Sequence, residues 1–582
     1  MKILFGMSSP EYLRFYDQTI VELADRGHDV AVAVNAVRGG KPVRLDRLEG
    51  QHARVSVVGL IPARGDGWEA LARAVRGTQD FIRYWHPKLS SASRLRERVK
   101  QQVLPWPLQW LDRIATLSPR AVARVLGCCE AVERAIPVAP AVARFLEEHA
   151  PDLVLVSPLV EPASDQVDLV RAAQARGTCV GALVASWDNL TNKGDLRVAT
   201  DFVAVWNEAQ KQEAVQLHRV APDAVVVTGA QVFDRWFERT PSSTRDEFCR
   251  QVGLSSARPF VLYTGSSIFI ARADAEMPFV RRWIEALRAS TDPTVRDLAV
   301  LVRPHPYNGQ AWRPETLADL ADVTVWPRGG FDPVDEANRA GLFDSLYHGA
   351  AVVGINTSAM IEAAIVGRPV LSIEAPEFAG TQDGTLHYRH LLPENGGFLR
   401  VAADFDEHVR QLRDVLASPE STQAELSRFV GRFVRPHGLA RAATPILADA
   451  IEQRGQRPGR GVAPDVGGAL GRVLVRVFVL WPLARVAPFA PSPSEWRRTR
   501  RDRKRAAAAE AAQSQARRTA RPSVSRQRAL PPRRSVWTRL VAATRSSIVA
   551  ARKRVTHAAR LMRYRGGLLA RRLSRLRGAP TE

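Results

Sequence analysis

Cysteine is scarce in this 582-residue chain: there are four, and none falls at the spacing of a tetrahedral metal site. Cys128 and Cys129 are adjacent while Cys179 and Cys249 stand alone, so neither a disulfide framework nor a bound metal is expected, and a reducing compartment is the simplest reading. Also missing is any apolar run of the roughly 20 residues that a bilayer-crossing helix needs. The best candidate, residues 473–484, is interrupted by Arg476. A secretory leader is not expected, because Lys2 is the lone cation ahead of three apolar residues that read as a strand.

The charge is unevenly placed. From residue 451 onward there are 32 basic and 6 acidic side chains, which leaves 51 basic and 54 acidic before it. A nearly neutral body thus carries a strongly basic tail, and the net charge of +23 describes the tail. No specific nucleic-acid partner follows from it.

Strand and helix signals alternate along residues 1–450. A strand at 2–5 is followed by a polar turn, a helix at 12–26 and a strand at 30–34. Further strands are expected near 54–58, 153–156, 179–184 and 202–205, with helices near 163–176 and 207–217. Such alternation winds a parallel sheet with helices on its faces. A helix-rich insertion at 65–146 carries Trp85, Trp106 and Trp110; a plain helical cap and a substrate-contacting element fit it equally, and it is assigned no chemistry. A linker near 238–256 separates a first α/β domain, 1–238, from a second, 257–450.

Residues able to do chemistry gather where strands end. Residues 351–373 read as strand, polar turn, helix and strand at minimal spacing. Thr357 and Ser358 stand where the helix begins, so hydroxyls and unpaired amides there can meet phosphate. Glu362, one turn later, can accept both hydroxyls of a ribose. The strand at 298–302 delivers Arg303-Pro-His-Pro306, in which two prolines fix the backbone around His305; Arg303 supplies a permanent charge and His305 one adjustable near neutral pH. Phe260-Val-Leu-Tyr-Thr-Gly-Ser-Ser267 runs a strand into a turn whose Gly265 permits close approach of a diphosphate, with Ser266 and Ser267 beside it. Ser186-Trp-Asp-Asn-Leu-Thr-Asn-Lys-Gly194 follows another apolar strand. There Asp188 is expected as a general base, with Trp187, Asn189, Asn192 and Lys193 positioning substrate. Asn, Asp and Gly are also turn formers, and an ordinary loop fits the same residues.

Two of these stretches resemble a known family. Ser-Ala-x-x-Glu-Ala-x-x-x-Gly-x-Pro-Val-Leu, here Ser358 to Leu371, is similar to the donor site of GT-B glycosyltransferases, and Leu23-Ala-Asp-Arg-Gly-His-Asp-Val30 resembles the opening of their N-terminal domains. Arg303-Pro-His-Pro306 resembles a motif of teichoic-acid glycerophosphotransferases, and His-Pro recurs in UDP-sugar 2-epimerases. The resemblance covers about residues 1–450 and implies two Rossmann-like domains with parallel sheets facing a cleft. It implies a nucleotide-diphosphate sugar as donor substrate, held by Gly265, Ser266, Ser267, Arg303, Thr357, Ser358 and Glu362; with His305 expected as catalytic beside the Asp188 base, neither a metal nor a further cofactor is expected. Asp383, His387 and His390, after the strand at 370–373, would face the sugar. Where the glycerophosphotransferases show Thr-Asp-Tyr-Ser-Ser followed by Asp, this chain has Ile355-Asn-Thr-Ser358 and Glu362, which favours a sugar donor.

The expected acceptor is a cell-envelope or surface-polysaccharide glycan carried on a lipid. In the tail, Trp537, Val541, Thr544, Ile548, Ala551, Val555, Ala558 and Met562 recur at helical spacing among arginines, so residues 455–582 are expected to be partly disordered and partly an amphipathic helix on an anionic membrane surface. A solubilising extension and an RNA-binding arm are the competing readings of this tail. The protein would then lie on the cytoplasmic face of the membrane. The alternatives to a glycosyltransferase are a CDP-glycerol-type glycerophosphotransferase, an epimerase-like enzyme, or an inactive scaffold that retains the fold.

Overall fold

Apolar runs four to six residues long, each bounded by polar turns, become strands buried on both faces. The computed structural model describes residues 1–35, 48, 50, 52–328, 336–382 and 384–461. Asp383 and the basic tail from residue 462 onward lie outside the described residues.

The first sheet contains β1 (Lys2–Met7), β2 (Asp29–Val34), β3 (Val55–Leu60), β4 (Leu153–Ser157), β5 (Cys179–Leu183), β6 (Phe202–Val205) and β7 (Val225–Val227). They pair in parallel in the order β3-β2-β1-β4-β5-β6-β7, with Ile3 opposite both Val30 and Leu153. The second sheet contains β8 (Phe260–Thr264), β9 (Ala299–Arg303), β10 (Val323–Val325), β11 (Ala351–Gly354), β12 (Val370–Ile373) and β13 (Arg400–Ala402), ordered β10-β9-β8-β11-β12-β13. Strand order reverses at β1/β4 and again at β8/β11, and open α/β sheets bind ligands outside the carboxyl ends of strands at such points. This is the α/β architecture of two Rossmann-like halves that the GT-B resemblance implied, and the strands expected in the first half all form.

Helix Leu13–Asp25 buries Tyr16, Ile20 and Leu23 against Phe5 and Val32 of the first sheet. Helix Ala443–Gly455 returns from the second half and sets Leu447, Ala448 and Ile451 into that same core, while Arg26 donates to Asp449 at 2.7 Å and Glu452 at 3.0 Å. The chain therefore passes between the halves twice. Asp234 ties the two passages together, accepting from the amides of Ala443 (3.0 Å) and Thr444 (2.6 Å) and from Arg435 (3.0 Å).

The stretch expected as a linker is structured. Within it, Thr244 and Glu247 form a reciprocal cap on helix Arg245–Val252, and that helix buries Phe248 and Cys249 against Phe260 and Leu262. Polar spacing concealed an amphipathic turn whose apolar side holds only three residues, too few for its periodicity to be read.

The insertion has its own core, where Phe81, Trp85, Leu95, Val99 and Leu126 meet between helices Glu69–Ile82, Ser93–Gln102 and Pro119–Ala135. Trp110 is exposed, and the Trp106 side chain is outside what is described. An ionic cluster joins the insertion to helix Gln166–Ala175. Arg76, 1% exposed, donates to both oxygens of Asp168 (2.8 and 2.9 Å) and to Glu133 (2.9 Å), and Arg64 also donates to Asp168 (2.8 Å).

Candidate nucleotide-binding cleft

The polar turns after β1 and β5 meet those after β9 and β11. Ser358 is the N-cap of helix Ala359–Ile365, and its Oγ accepts a 3.1 Å hydrogen bond from Nε1 of Trp187, which follows β5. Thr357 Oγ1 accepts from the Ala359 amide at 3.4 Å. The helix is only seven residues long, so its dipole is modest.

Glu362 lies half-buried on this helix and accepts no hydrogen bond from a described residue. Burial pushes its carboxyl up to about 7, against the pull of Arg14 and Arg303. Arg14 belongs to the first half, on helix Leu13–Asp25, and is exposed. It faces both Glu362 and His305 electrostatically, yet sequence reasoning missed it: nothing in Leu13-Arg-Phe15 separates a cleft arginine from a solvated one.

Arg303 is turned partly away from the cleft. Its Nη1 donates to Gly341 O (3.2 Å) and Ser345 Oγ (3.1 Å), and the guanidinium lies over the Trp326 ring at 5.0 Å. Burial lowers it to about 10, with Glu362 opposing, so it keeps its charge at neutral pH. His305 behaves differently from the expectation of an adjustable charge. Burial, reinforced by Arg14, pushes it down to about 4, and its Nδ1 accepts from the Tyr307 amide at 3.1 Å. The imidazole is therefore neutral near pH 7 and carries its proton on Nε2.

The turn after β8 is pressed against the one after β9. A Cβ at Gly265 would come within 2.9 Å of the His305 amide nitrogen, which explains glycine there. Ser266, expected among the donor-binding residues, is fully buried, and its amide donates to Glu276 Oε1 at 2.8 Å. Ser267 is half-buried beside it, and its carbonyl accepts from the amides of Ile270 and Ala271.

Beyond β5, Trp187 is buried and Asp188 half-buried. Asp188 accepts from Asn192 Nδ2 (3.0 Å) and Asn189 Nδ2 (3.3 Å). Burial works against its charge, but His387, Lys193 and hydrogen bonding with Asn192 and Ser186 outweigh it and hold the carboxyl below its usual range. Lys193 donates to Glu161 Oε1 at 2.7 Å and to the Tyr12 hydroxyl, and Tyr12 donates to Glu161 at 2.8 Å. Burial disfavours its ammonium, yet Glu161, Tyr12 and Asp188 keep it above its usual range. Asn189 serves structure, since its Oδ1 accepts from the amides of Ala185 and Ser186.

His387 was expected to face a sugar. It is 2% exposed and wedged between the halves, edge-on to Trp187 with ring centroids 4.8 Å apart, 3.4 Å from Thr191 Oγ1 and 3.5 Å from Asn356 Nδ2. Burial takes it down to about 4, against the pull of Asp188. His390 pairs with Glu213 across the halves at 2.6 Å.

The insertion supplies the floor of this polar loop, a role not visible in its sequence. Arg83, 1% exposed, donates to the carbonyls of Leu190 (2.7 Å), Lys193 (2.8 Å) and Gly194, and Asp80 accepts from the Asp195 amide at 2.8 Å. Arginine buried beneath three carbonyls fixes a backbone that would otherwise choose among turn conformations. Among the described residues no group of three side chains is arranged to hold a metal ion, and no helix is long and apolar enough to cross a membrane.

No family model and no curated protein matches the chain. Solved structures similar to it include a UDP-GlcNAc 2-epimerase from Neisseria meningitidis bound to UDP-GlcNAc, 13% identical and covering 78% of this chain and 100% of that one, with a TM-score of 0.46. WaaG, a glycosyltransferase involved in lipopolysaccharide biosynthesis, is 14% identical over 77% of this chain and 99% of its own, with a TM-score of 0.40. The wall teichoic acid polymerase TagF is 10% identical over 78% of this chain and 88% of its own, with a TM-score of 0.40.

Proposed function

We propose that the protein is a glycosyltransferase that moves a sugar from a nucleotide-diphosphate donor, held in the cleft, to a glycan acceptor of the cell envelope or a surface polysaccharide, presented on a lipid carrier. The observation that carries this reading is Glu362, a carboxylate at a strand-order reversal that accepts no hydrogen bond from a described residue and is set among Arg14, Arg303 and His305. A ribose would give the carboxylate its two missing donors. The diphosphate would lie along Ser358, Thr357 and the two arginines, with the His305 Nε2–H as a neutral donor, so that charge developing on the leaving group meets fixed cations. Asp188 would take the proton of the acceptor hydroxyl. The basic tail would hold the enzyme on an anionic membrane surface near such an acceptor.

Calorimetric titration of the full chain with UDP, GDP, CDP and dTDP tests the donor site. One diphosphate is expected to bind, and Glu362→Ala to weaken it on the order of 10- to 100-fold, the worth of charge-assisted hydrogen bonds to two hydroxyls. Binding of none of the four, or equal binding by the variant, would overturn the donor assignment.

The same titration carries a pH signature. Because the folded pKa of Glu362 is raised to about 7, the fold favours its neutral acid; that contribution is present below the unfolded value of 4.5 and is lost as pH rises through about 7. Ribose, selecting the carboxylate, acts in the opposite sense. Affinity should therefore rise from pH 6 to 8 more steeply in the native chain than in Glu362→Gln, the nucleotide's own titration being common to both.

For the tail, truncation after Arg454 is expected to abolish co-sedimentation with vesicles containing anionic lipid while leaving diphosphate binding intact. Retention of the truncated chain on the vesicles would refute the membrane role.

A further inference from the structure

Residues 266–271 form a short loop between β8 and helix Ala273–Arg288; Ala271 and Ile270 turn into the core of the second half, and three buried side chains fix the loop's backbone. Glu276, fully buried, takes the Ser266 amide at 2.8 Å. Asn308, 5% exposed, donates from Nδ2 to the carbonyls of Ser266 and Ala271, both at 2.8 Å. Thr381, 4% exposed, donates to Ile270 O at 3.0 Å. At the tip of this pinned loop Phe269 is 57% exposed and Ile268 40%.

Holding an aromatic ring in water on a rigid support gains the fold nothing, because the apolar surface stays wet. The surroundings indicate what it serves. The Arg98 guanidinium, from the insertion helix Ser93–Gln102, lies 5.9 Å from the Phe269 ring centroid. The same guanidinium donates to Asn192 Oδ1 at 3.0 Å and to its carbonyl, and Asn192 in turn donates to Asp188 at 3.0 Å. Phe269 thus stands at the Asp188 side of the cleft, two residues removed from the group proposed to accept the proton, beside a guanidinium and an amide. A flat apolar ring bordered by hydrogen-bonding groups suits the face of a pyranose, which pairs axial C–H bonds on one side with equatorial hydroxyls at its rim; the negative face of an aromatic ring attracts such polarised hydrogens.

We propose that Phe269, presented by the pinned loop, is a stacking platform for a pyranose ring of the acceptor, with Arg98 and Asn192 contacting its hydroxyls. The identity of the occupant rests on the glycosyltransferase reading, and the platform itself can be tested without it. Saturation-transfer NMR on the full chain would use a panel of free pyranosides: glucose, galactose, mannose, N-acetylglucosamine and their common disaccharides. At least one is expected to show transfer concentrated on the C–H groups of a single ring face. Phe269→Ala should weaken that sugar about two- to tenfold, the worth of one aromatic contact, and Phe269→Tyr should restore it. Both variants should unfold at the denaturant midpoint of the native chain, which shows that they are folded, and diphosphate binding should be unchanged in both.

No face-selective transfer from any member of the panel, or equal transfer in Phe269→Ala, overturns the proposal. So does loss of vesicle binding in Phe269→Ala with sugar contact unchanged, which would assign the ring to lipid. If a pyranoside binds as expected and no nucleotide diphosphate does, the platform stands and the donor reading falls.

Discussion

Asp188→Asn is expected to cut turnover on the order of 100-fold while leaving diphosphate affinity within about a factor of two, because it removes a proton acceptor and no donor contact. The size follows from the environment. General bases contribute roughly 10²- to 10⁴-fold, most when their pKa lies near the working pH. His387, Lys193 and the hydrogen bond from Asn192 overcome burial to hold Asp188 below the usual carboxylate range. It is therefore always ionised at neutral pH but a weak base, and the effect belongs at the low end. Turnover of the purified chain, followed as nucleoside diphosphate release from the donor that calorimetry selects, checks this against the affinity of the same variant. Unchanged turnover would leave Asp188 with the structural task its two asparagine contacts already describe. A loss confined to affinity would place it with the donor instead.

Arg76→Met is expected to destabilise the first half by about 3–5 kcal/mol, read as a shift in chemical-denaturation midpoint. Arg76 is 1% exposed and neutralises Asp168 and Glu133, which are themselves about 5% exposed. Removing the cation leaves Asp168 with Arg64 (2.8 Å) and Glu133 with Arg171 (3.6 Å) in a site with little water, and the cost is that of under-compensated buried charge more than of the lost pair. Asp168 gives the acid limb of the same effect. Burial alone would raise it, but the hydrogen bonds and charge of Arg76, with the charge of Arg64, depress it. A depressed carboxyl contributes stability that is present above its unfolded value of 3.8 and is lost as pH falls through the lower folded value. The native chain should therefore keep this contribution at pH 5 and lose it below about pH 4, while Arg76→Met, left with the charge of Arg64, should show a smaller difference between the two pH values. A variant as stable as the native chain at pH 7 would contradict this account.

Much of the fold was legible because parallel strands covered on both faces leave continuous apolar runs. Residues 153–156, 179–184 and 202–205 announce themselves in that way, and strand–turn–helix spacing in 351–373 places Glu362 one turn beyond a strand's carboxyl end, whereas the order reversal beside it depends on which strands pair. The cleft was less legible where its residues depend on partners distant in sequence. Arg14, Arg83 and Glu276 have no local signature; each acquires its role from a chain segment tens of residues away or from a turn whose path is set by tertiary packing. The strand-end position of His305 and Ser266 points to phosphate contacts, but burial makes the first a neutral donor and Glu276 takes the amide of the second. His387 shows the converse: a histidine that looked like a substrate contact is packing between the halves, beside Trp187.

The double passage at Asp234 sets how such a cleft can open. One carboxylate binds the start of the returning helix and Arg435, so both strands of chain that join the halves run through a single short span. Shear would break all of these bonds together, whereas rotation about that span preserves them. An opening motion would then act as a lever with its fulcrum at Asp234, and the contacts it gives up would be those bridging the lips, Trp187 to Ser358 and Thr191 to His387. The same swing would carry Arg14 away from Glu362, so the electrostatic environment of the ribose site is coupled to the angle between the halves.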